Sequence, residues 1–228
     1  MNICIIPARG GSKRIRGKNI KLFLGKPIIA FSIENAIRSE CFDRIIVSTD
    51  DNDIAAIAKE FGAEVPFIRP AELSDDFTGV HDVVDHALVW LQNIGFHYKY
   101  ACTLYATAPL LKKEYLIEGL KKLENSNAKY SFSATSMPFP IQRAFKLDED
   151  GRCKMFTPEY YSSRSQDLVE SYQDAGQFYW TDNEKKSSEI MFGKDSIPII
   201  LPRYLVQDID TMEDWKQAEY MYQALKNT

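Results

Sequence analysis

Short runs of apolar and β-branched residues alternate along this chain with longer stretches whose apolar residues recur every three or four positions. Residues 3–6, closed by Pro7, read as a buried strand, and so do residues 44–48, 64–68, 100–105 and 130–134. Between them, helical spacing joins Ile29, Ile33, Ala36 and Ile37, and then Ile54, Ile57, Ala58 and Phe61, with Gly62 as a C-cap. A third helical face carries Val83, Val84, Ala87, Leu88 and Leu91, and a fourth helix covers residues 113–123. Strands separated by helices are joined by crossovers and lie parallel. The expected class is therefore α/β, a doubly wound and mainly parallel sheet. At 228 residues the chain makes one domain.

The alternation breaks at Met137. From there to about residue 175 come Pro138, Pro140, Gly151, Pro158 and many polar residues, with no clean helix. The stretch reads as an excursion from the sheet, with DEDG at residues 148–151 as a hairpin turn. Strands return at residues 177–180 and 197–201, and a last helix carries Trp215, Ala218, Tyr222 and Leu225.

Composition excludes some classes. Charged residues make up 26% and the net charge is −4, which argues against a general nucleic-acid binder. No run of about 18 apolar residues suggests a membrane span. The opening MNICIIPARGG lacks the form of a signal peptide. Cys4, Cys41, Cys102 and Cys153 are scattered without a CxxC pair, as expected of reduced thiols in a cytoplasmic protein.

In open α/β sheets ligands bind at the carboxyl ends of the strands. The loop after the first strand is thus a prime position, and here it carries Gly10, Gly11 and Ser12 among the cations Arg9, Lys13, Arg14, Arg16 and Lys18. Adjacent glycines let backbone N–H groups turn toward an anion, so the expected ligand is a polyphosphate; the bland alternative is a solvated turn. GxxxxGK[ST] and GxGxxG are both absent, which counts against kinases and nicotinamide oxidoreductases.

Toward the end stands QDIDT. If the segment is extended, Asp208 and Asp210 point the same way and can share one divalent cation through hard oxygen ligands. The same residues also read as a helix start, capped by Asp210 or Thr211. Asp50 and Asp51 end the second strand at the ligand edge; Asp50 is a candidate to position the loop arginines and Asp51 to cap the next helix. Asp75 and Asp76 suit either role or a solvated loop. His81 is the best placed of three histidines that form no metal or triad pattern.

PARGGSKR followed by KN, then VSTDD, AEVPFIRPAELSDD and QDIDT, resembles the sugar-activating cytidylyltransferases, the family that includes CMP-N-acetylneuraminate synthetase. The matches fall in family order over most of the chain. PFPIQRAF and DAGQFYW resemble the branch that uses pseudaminic acid. The resemblance implies a nucleotide-diphospho-sugar transferase-like fold, transfer of CMP from CTP to a nine-carbon acidic sugar, release of pyrophosphate, and Mg2+ on Asp208 and Asp210. It implies phosphate contacts from Arg9, Gly10, Gly11, Ser12, Arg14 and Lys18, and cytosine read by backbone near Pro7 and Ala8. Asn19 and Thr78 are further nucleotide contacts, and Arg9, Lys18 and the two aspartates carry the chemistry. On the sugar side a guanidinium suits a planar carboxylate. Arg143 and Arg164 are the candidates, with Gln142, Gln177 and Tyr179 for hydroxyl or acetamido groups. Arg164 also reads as a solvated loop residue, and Tyr179 as core. The family makes homodimers in which the excursion reaches the partner. Other nonulosonates, such as N-acetylneuraminate or legionaminate, remain as acceptors, and a non-catalytic nucleotide-binding protein is the alternative of another class. The chain departs from the family at LYATAPLL, where Tyr105 and Ala106 stand in place of the Gln-Pro-Thr-Ser-Pro arrangement of the sialate enzymes and the aspartate of the octulosonate enzymes, so a relative's metal or sugar contact there does not carry over.

Overall fold

A computed structural model describes residues 1–226. The elements are β1 (Asn2–Pro7), β2 (Leu22–Phe23), β3 (Lys26–Pro27), α1 (Ile28–Ser39), β4 (Arg44–Ser48), α2 (Asn52–Glu60), α3 (Val80–Asn93) and β5 (Tyr100–Leu104). Then come α4 (Lys113–Glu124), β6 (Tyr130–Ser136), β7 (Phe145–Leu147), β8 (Cys153–Met155), β9 (Tyr172–Asp182), β10 (Ser196–Ile200) and α5 (Met212–Lys226). The main sheet runs β10-β6-β9-β5-β1-β4. β1 pairs in parallel with both β4 and β5, and β6 with β10. β9 is antiparallel to β5 and β6, so the sheet is mainly parallel as the alternation implied.

The sheet is buried on both faces. Cys4, Ile6, Leu104, Phe178 and Trp180 meet the apolar sides of α1, α2 and α4 on one face. Ile3, Ile5, Ile46 and Ala101 meet Val84, Ala87 and Leu91 of α3 on the other. This two-sided burial is why the central strands read as continuous apolar runs. Cys4 and Cys102 are buried between them, and burial pushes both thiols well above their usual range.

A smaller third core has a larger bearing on function. Phe23, Ile28 and Phe31 surround Trp215 and Ala218 of α5, with edge-on ring contacts from Phe23 to Phe31 (5.4 Å), Trp215 (5.7 Å) and Tyr222 (5.7 Å). Such pairs contribute about 0.5–1.5 kcal/mol each beyond their burial. The same core takes in Ile15 of the glycine-basic loop and Ile209 of QDIDT.

Residues 64–68 do not form the expected strand. Glu64 makes one parallel bridge to Ile46, and the ladder stops there. Pro66 has no N–H to continue it. β9 begins at Tyr172, earlier than expected, so the excursion closes there. Within it β7 and β8 pair as a hairpin, and DEDG is its turn, with Gly151 at φ 74° and Asp148 accepting from the N–H groups of Asp150 and Arg152. No helix among the described residues is long and apolar enough to cross a membrane.

Candidate active site

The chain passes from β4 on one side of β1 to β5 on the other, so the order reverses at β1. Ligands bind outside the carboxyl ends of the strands at such a point. A cavity of about 310 Å3 opens there. Pro7 and Arg9 from β1 and its loop, Tyr105, Ala106 and Thr107 after β5, and Thr78 before α3 all line it. The cations Arg9, Lys13, Arg14, Lys18 and Arg69 ring it, against Asp75 and Asp76. A concave wall with this excess of positive charge concentrates a polyanion.

The loop is shaped by carboxylates beneath it. Asp50 accepts from the Gly10 N–H (3.0 Å) and from Arg69 (3.4 Å), so it holds Gly10 and Arg69 rather than the loop arginines. Asp51 caps α2 by accepting from the N–H groups of Asp53 (2.8 Å) and Ile54 (3.1 Å), as expected. Gly10 sits on that cap. A Cβ there would come 2.5 Å from Asp51 Oδ2 and 2.9 Å from Asp51 Cβ. Gly10 is therefore required for room, and its N–H is taken by the Asp50 carboxylate rather than left for a phosphate. The Ala8 N–H is likewise taken by the Ser48 carbonyl (2.9 Å), so a base at Pro7 and Ala8 would find no free N–H on either. Asn19 is buried and donates to the Arg9 carbonyl (2.9 Å), bracing the loop from below while it also lines the cavity. Ser12 lines the cavity; Ala8, Gly10 and Gly11 do not.

Arg69 was not singled out by the sequence. It is 4% exposed, donates to Ser74 Oγ (3.1 Å) and to Asp50, and still borders the cavity. Burial pulls its pKa down and Asp50 opposes the shift. A buried guanidinium needs such a partner, and the neighbouring space suits a further anion. Its only sequence signal is an arginine inside the apolar run PFIRP.

Across the cavity mouth the Ser74–Thr78 turn folds over the loop. Arg9 donates to the Asp75 carbonyl (2.6 Å) and to Asp76 (2.9 Å), and Lys13 pairs with Asp76. The Lys13 and Arg9 contacts hold the Asp76 carboxyl below its usual range. Asp75 accepts from the Thr78 N–H and hydroxyl (both 2.7 Å) and fixes the turn.

Asp208 and Asp210 meet the loop at its other end. Ile209 between them is fully buried, so the segment is pinned with the flanking aspartates on the opposite side. Asp210 pairs with Arg14 (2.7 Å) and Lys18 (3.4 Å), and Lys18 also donates to the Ile209 carbonyl (2.7 Å). Burial, and then the charge of Asp210, raise the pKa of Asp208. Two hard carboxylates that repel each other beside a cavity suit a hard divalent cation. Among the described residues no group of three or more metal-ligating side chains occurs, so phosphate and water oxygens would complete the shell. The helix-start reading holds as well. Thr211 and Asp214 exchange hydrogen bonds (Thr211 N–H to Asp214, 2.7 Å; Asp214 N–H to Thr211 Oγ1, 3.3 Å) at the start of α5.

The sugar-side candidates divide. Tyr179 lies against Tyr105, a residue of the cavity wall, with ring centroids 5.5 Å apart, but does not itself line the cavity. Gln177 is 2% exposed and donates to the Leu205 carbonyl (2.6 Å), so it anchors the segment that leads to Asp208 and does not face a ligand. Gln142, Arg143 and Arg164 do not line the cavity. Gln142 donates to the Val169 carbonyl (3.1 Å), Arg143 to the Ser163 carbonyl, and Arg164 pairs with Asp167 (2.7 Å) on the surface. His81 is exposed in the first turn of α3, pairs with Asp85 (3.4 Å) and is no part of the site.

An open α/β sheet with a cation-ringed cavity at its switch point, and an acidic pair outside the lining that is tied to it through Arg14 and Lys18, has the form of a nucleotide-handling transferase. A family model described as Cytidylyltransferase matches residues 3–223, and the chain belongs to that family. It is 48% identical over 224 residues, 98% of this chain and 97% of the relative, to pseudaminic acid cytidylyltransferase of Campylobacter jejuni. It is 31% identical to CMP-N,N'-diacetyllegionaminic acid synthase of Legionella pneumophila, over 95% of this chain and 94% of the relative. The fold matches a solved CMP:2-keto-3-deoxy-manno-octonic acid synthetase complexed with CTP, at a TM-score of 0.69 and 14% identity, covering 98% of both chains.

Proposed function

We propose that this cytidylyltransferase moves CMP from CTP to pseudaminic acid. The observation that carries the reading is the near-full-length 48% identity to an enzyme of that name. The anomeric hydroxyl of the sugar attacks the α-phosphorus and gives up its proton to solvent; its new bond to phosphorus forms as the bond to the bridging oxygen of the β-phosphate breaks, and pyrophosphate leaves. Arg9, Ser12, Lys13, Arg14 and Lys18 hold and neutralise the triphosphate, joined by Arg69 from the cavity wall. Lys18 faces the α-phosphate, and Asn19 and Thr78 close on the nucleoside. Asp208 and Asp210 would hold Mg2+, which when bound would supply charge neutralisation at the phosphate oxygens. The reaction belongs in the cytoplasm, where CTP is made and four free thiols stay reduced.

The test is pyrophosphate release from CTP and Mg2+ with three separate acceptors. Pseudaminic acid should give turnover, with N-acetylneuraminic and legionaminic acids at least about 100-fold lower in kcat/KM. Preference for either of the other two would move the substrate assignment to that sugar.

The same proposal includes a homodimer. Phe139 (78% exposed), Tyr161 (77%) and Val169 (78%) crowd the surface of the excursion. Apolar area of this density marks an interaction face, and a second copy would carry Arg143 and Arg164 toward its neighbour's cavity. Sedimentation at micromolar concentration should show a dimer, and Phe139→Glu a monomer with lost activity. A fully active monomeric wild type would sink this part.

A further inference from the structure

The turn across the cavity mouth is held there by the cations it covers. Asp76 gives one carboxylate oxygen to each of two side chains: Oδ1 meets the Arg9 guanidinium (2.9 Å) and Oδ2 the Lys13 ammonium. Arg9 donates to the Asp75 carbonyl as well (2.6 Å). The Asp75 carboxylate is used inside the turn, by the N–H groups of Phe77 (3.0 Å) and Thr78 (2.7 Å) and by the Thr78 hydroxyl. Among the described residues, no other polar contact ties residues 75–77 to the rest of the protein. Packing does not hold them either. Phe77 is 94% exposed, the most open of the large apolar side chains among the described residues.

Arg9 and Lys13 line the cavity, so a polyphosphate that enters it needs the same two cations. A carboxylate with one oxygen on each of them stands where two oxygens of a phosphate would. The loop's cations thus fall into two groups, each held by one aspartate. Arg14 and Lys18 pair with Asp210, and Arg9 and Lys13 with Asp76. In the loaded site Asp210 still has a partner in a divalent cation beside Asp208. Asp76 has none there: once phosphate oxygens take Arg9 and Lys13, it faces like charge at close range.

We propose that Asp76 is a built-in competitor for the pyrophosphate end of the nucleotide. It holds Arg9 and Lys13 in the empty enzyme, yields them to the β- and γ-phosphates, and takes them back as pyrophosphate leaves. Asp76 touches no reacting atom; it sets how many phosphates are needed to release the turn. A single phosphate at Lys18 leaves the Asp76 contacts shut, whereas a triphosphate reaches on to Arg9 and Lys13 and opens them. The inference rests on the cytidylyltransferase reading above, which puts the α-phosphate at Lys18.

Asp76→Asn tests it, because the amide keeps the shape and loses the charge. Two partly exposed ion pairs correspond together to about a five- to tenfold change in an equilibrium constant. Calorimetric titration of the full chain at fixed Mg2+, without sugar, should show CTP and inorganic pyrophosphate each binding about five- to tenfold more tightly to the variant. CMP should gain less than about twofold, since it does not reach Arg9 and Lys13. The Tm should barely move. Lys13→Met tests the route: in that background the gain from Asp76→Asn should fall to about threefold or less. A full-size gain there would mean a field felt through space and would overturn the competition. Equal gains for CTP and CMP, no gain for pyrophosphate, or weaker CTP binding would overturn it too. A wild type silent with the sugar would refute the acceptor assignment alone, and the binding ratios, which need no sugar, would still decide the role of Asp76.

Discussion

Asp210→Asn lowers kcat by roughly 10²–10³-fold while the protein stays folded. The carboxylate at this position does two things at once. It pairs with Arg14 and Lys18, and it stands beside Asp208 with charge that a divalent cation needs. The amide keeps the shape and loses the charge. The two ion pairs are partly exposed, and exposed pairs contribute about 0–1 kcal/mol, so Tm should barely move. Asp208 loses a repelling neighbour, which works in the stabilising direction. Steady-state kinetics at saturating CTP measures the first effect. Mn2+ titration by electron paramagnetic resonance, with CTP present and no acceptor, measures the second and should show weakened binding. Wild-type kcat at limiting Mg2+ together with intact Mn2+ binding would remove Asp210 from the metal site.

Lys18→Met should cost a similar factor, roughly 10²–10³-fold in kcat/KM. The methionine keeps the aliphatic stem and deletes the ammonium. That ammonium is the cavity's tie to the acidic segment, through the Ile209 carbonyl and Asp210. Its loss leaves the α-phosphate less neutralised and the acidic segment without its brace. Arginine should rescue poorly, because its planar fork does not reproduce a point charge shared by a carbonyl and a carboxylate. A rise in the CTP KM with kcat unchanged would mean that Lys18 contributes uniform binding only.

The fold was legible where periodicity and burial agree. β1, β4, β5 and the four crossover helices announced themselves because a doubly covered sheet demands apolar runs and helices need one apolar face. Residues 64–68 have the β-branched content of a strand, but the ladder stops after Glu64 because Pro66 has no N–H to continue it. The direction of β9 could not be read, since a strand's own pattern does not say which neighbours it will find. Lys18 and the two aspartates were legible as candidates because their residue types suit phosphate and metal, and the fold brings Lys18 and Asp210 together. Arg69 was not, because its meaning lies in a burial and a partner, Asp50, that only the fold brings together. Gln177 failed the other way: a polar residue in a suggestive motif turned inward to hold Leu205. Gly10 was identified for the right loop and the wrong reason; it makes room for a helix cap rather than bending toward an anion.

The small core that joins Ile15 to Ile209 has a consequence for the life of the chain during synthesis. The Lys18 brace to the Ile209 carbonyl spans 191 residues of sequence. The glycine-basic loop leaves the ribosome long before the acidic segment with α5. A nascent chain with its sheet already assembled would still lack the acids, the brace and the aromatic packing around Phe23. It could hold a nucleotide loosely and do nothing to it. Catalytic competence would thus arrive as a single event, tied to the docking of α5.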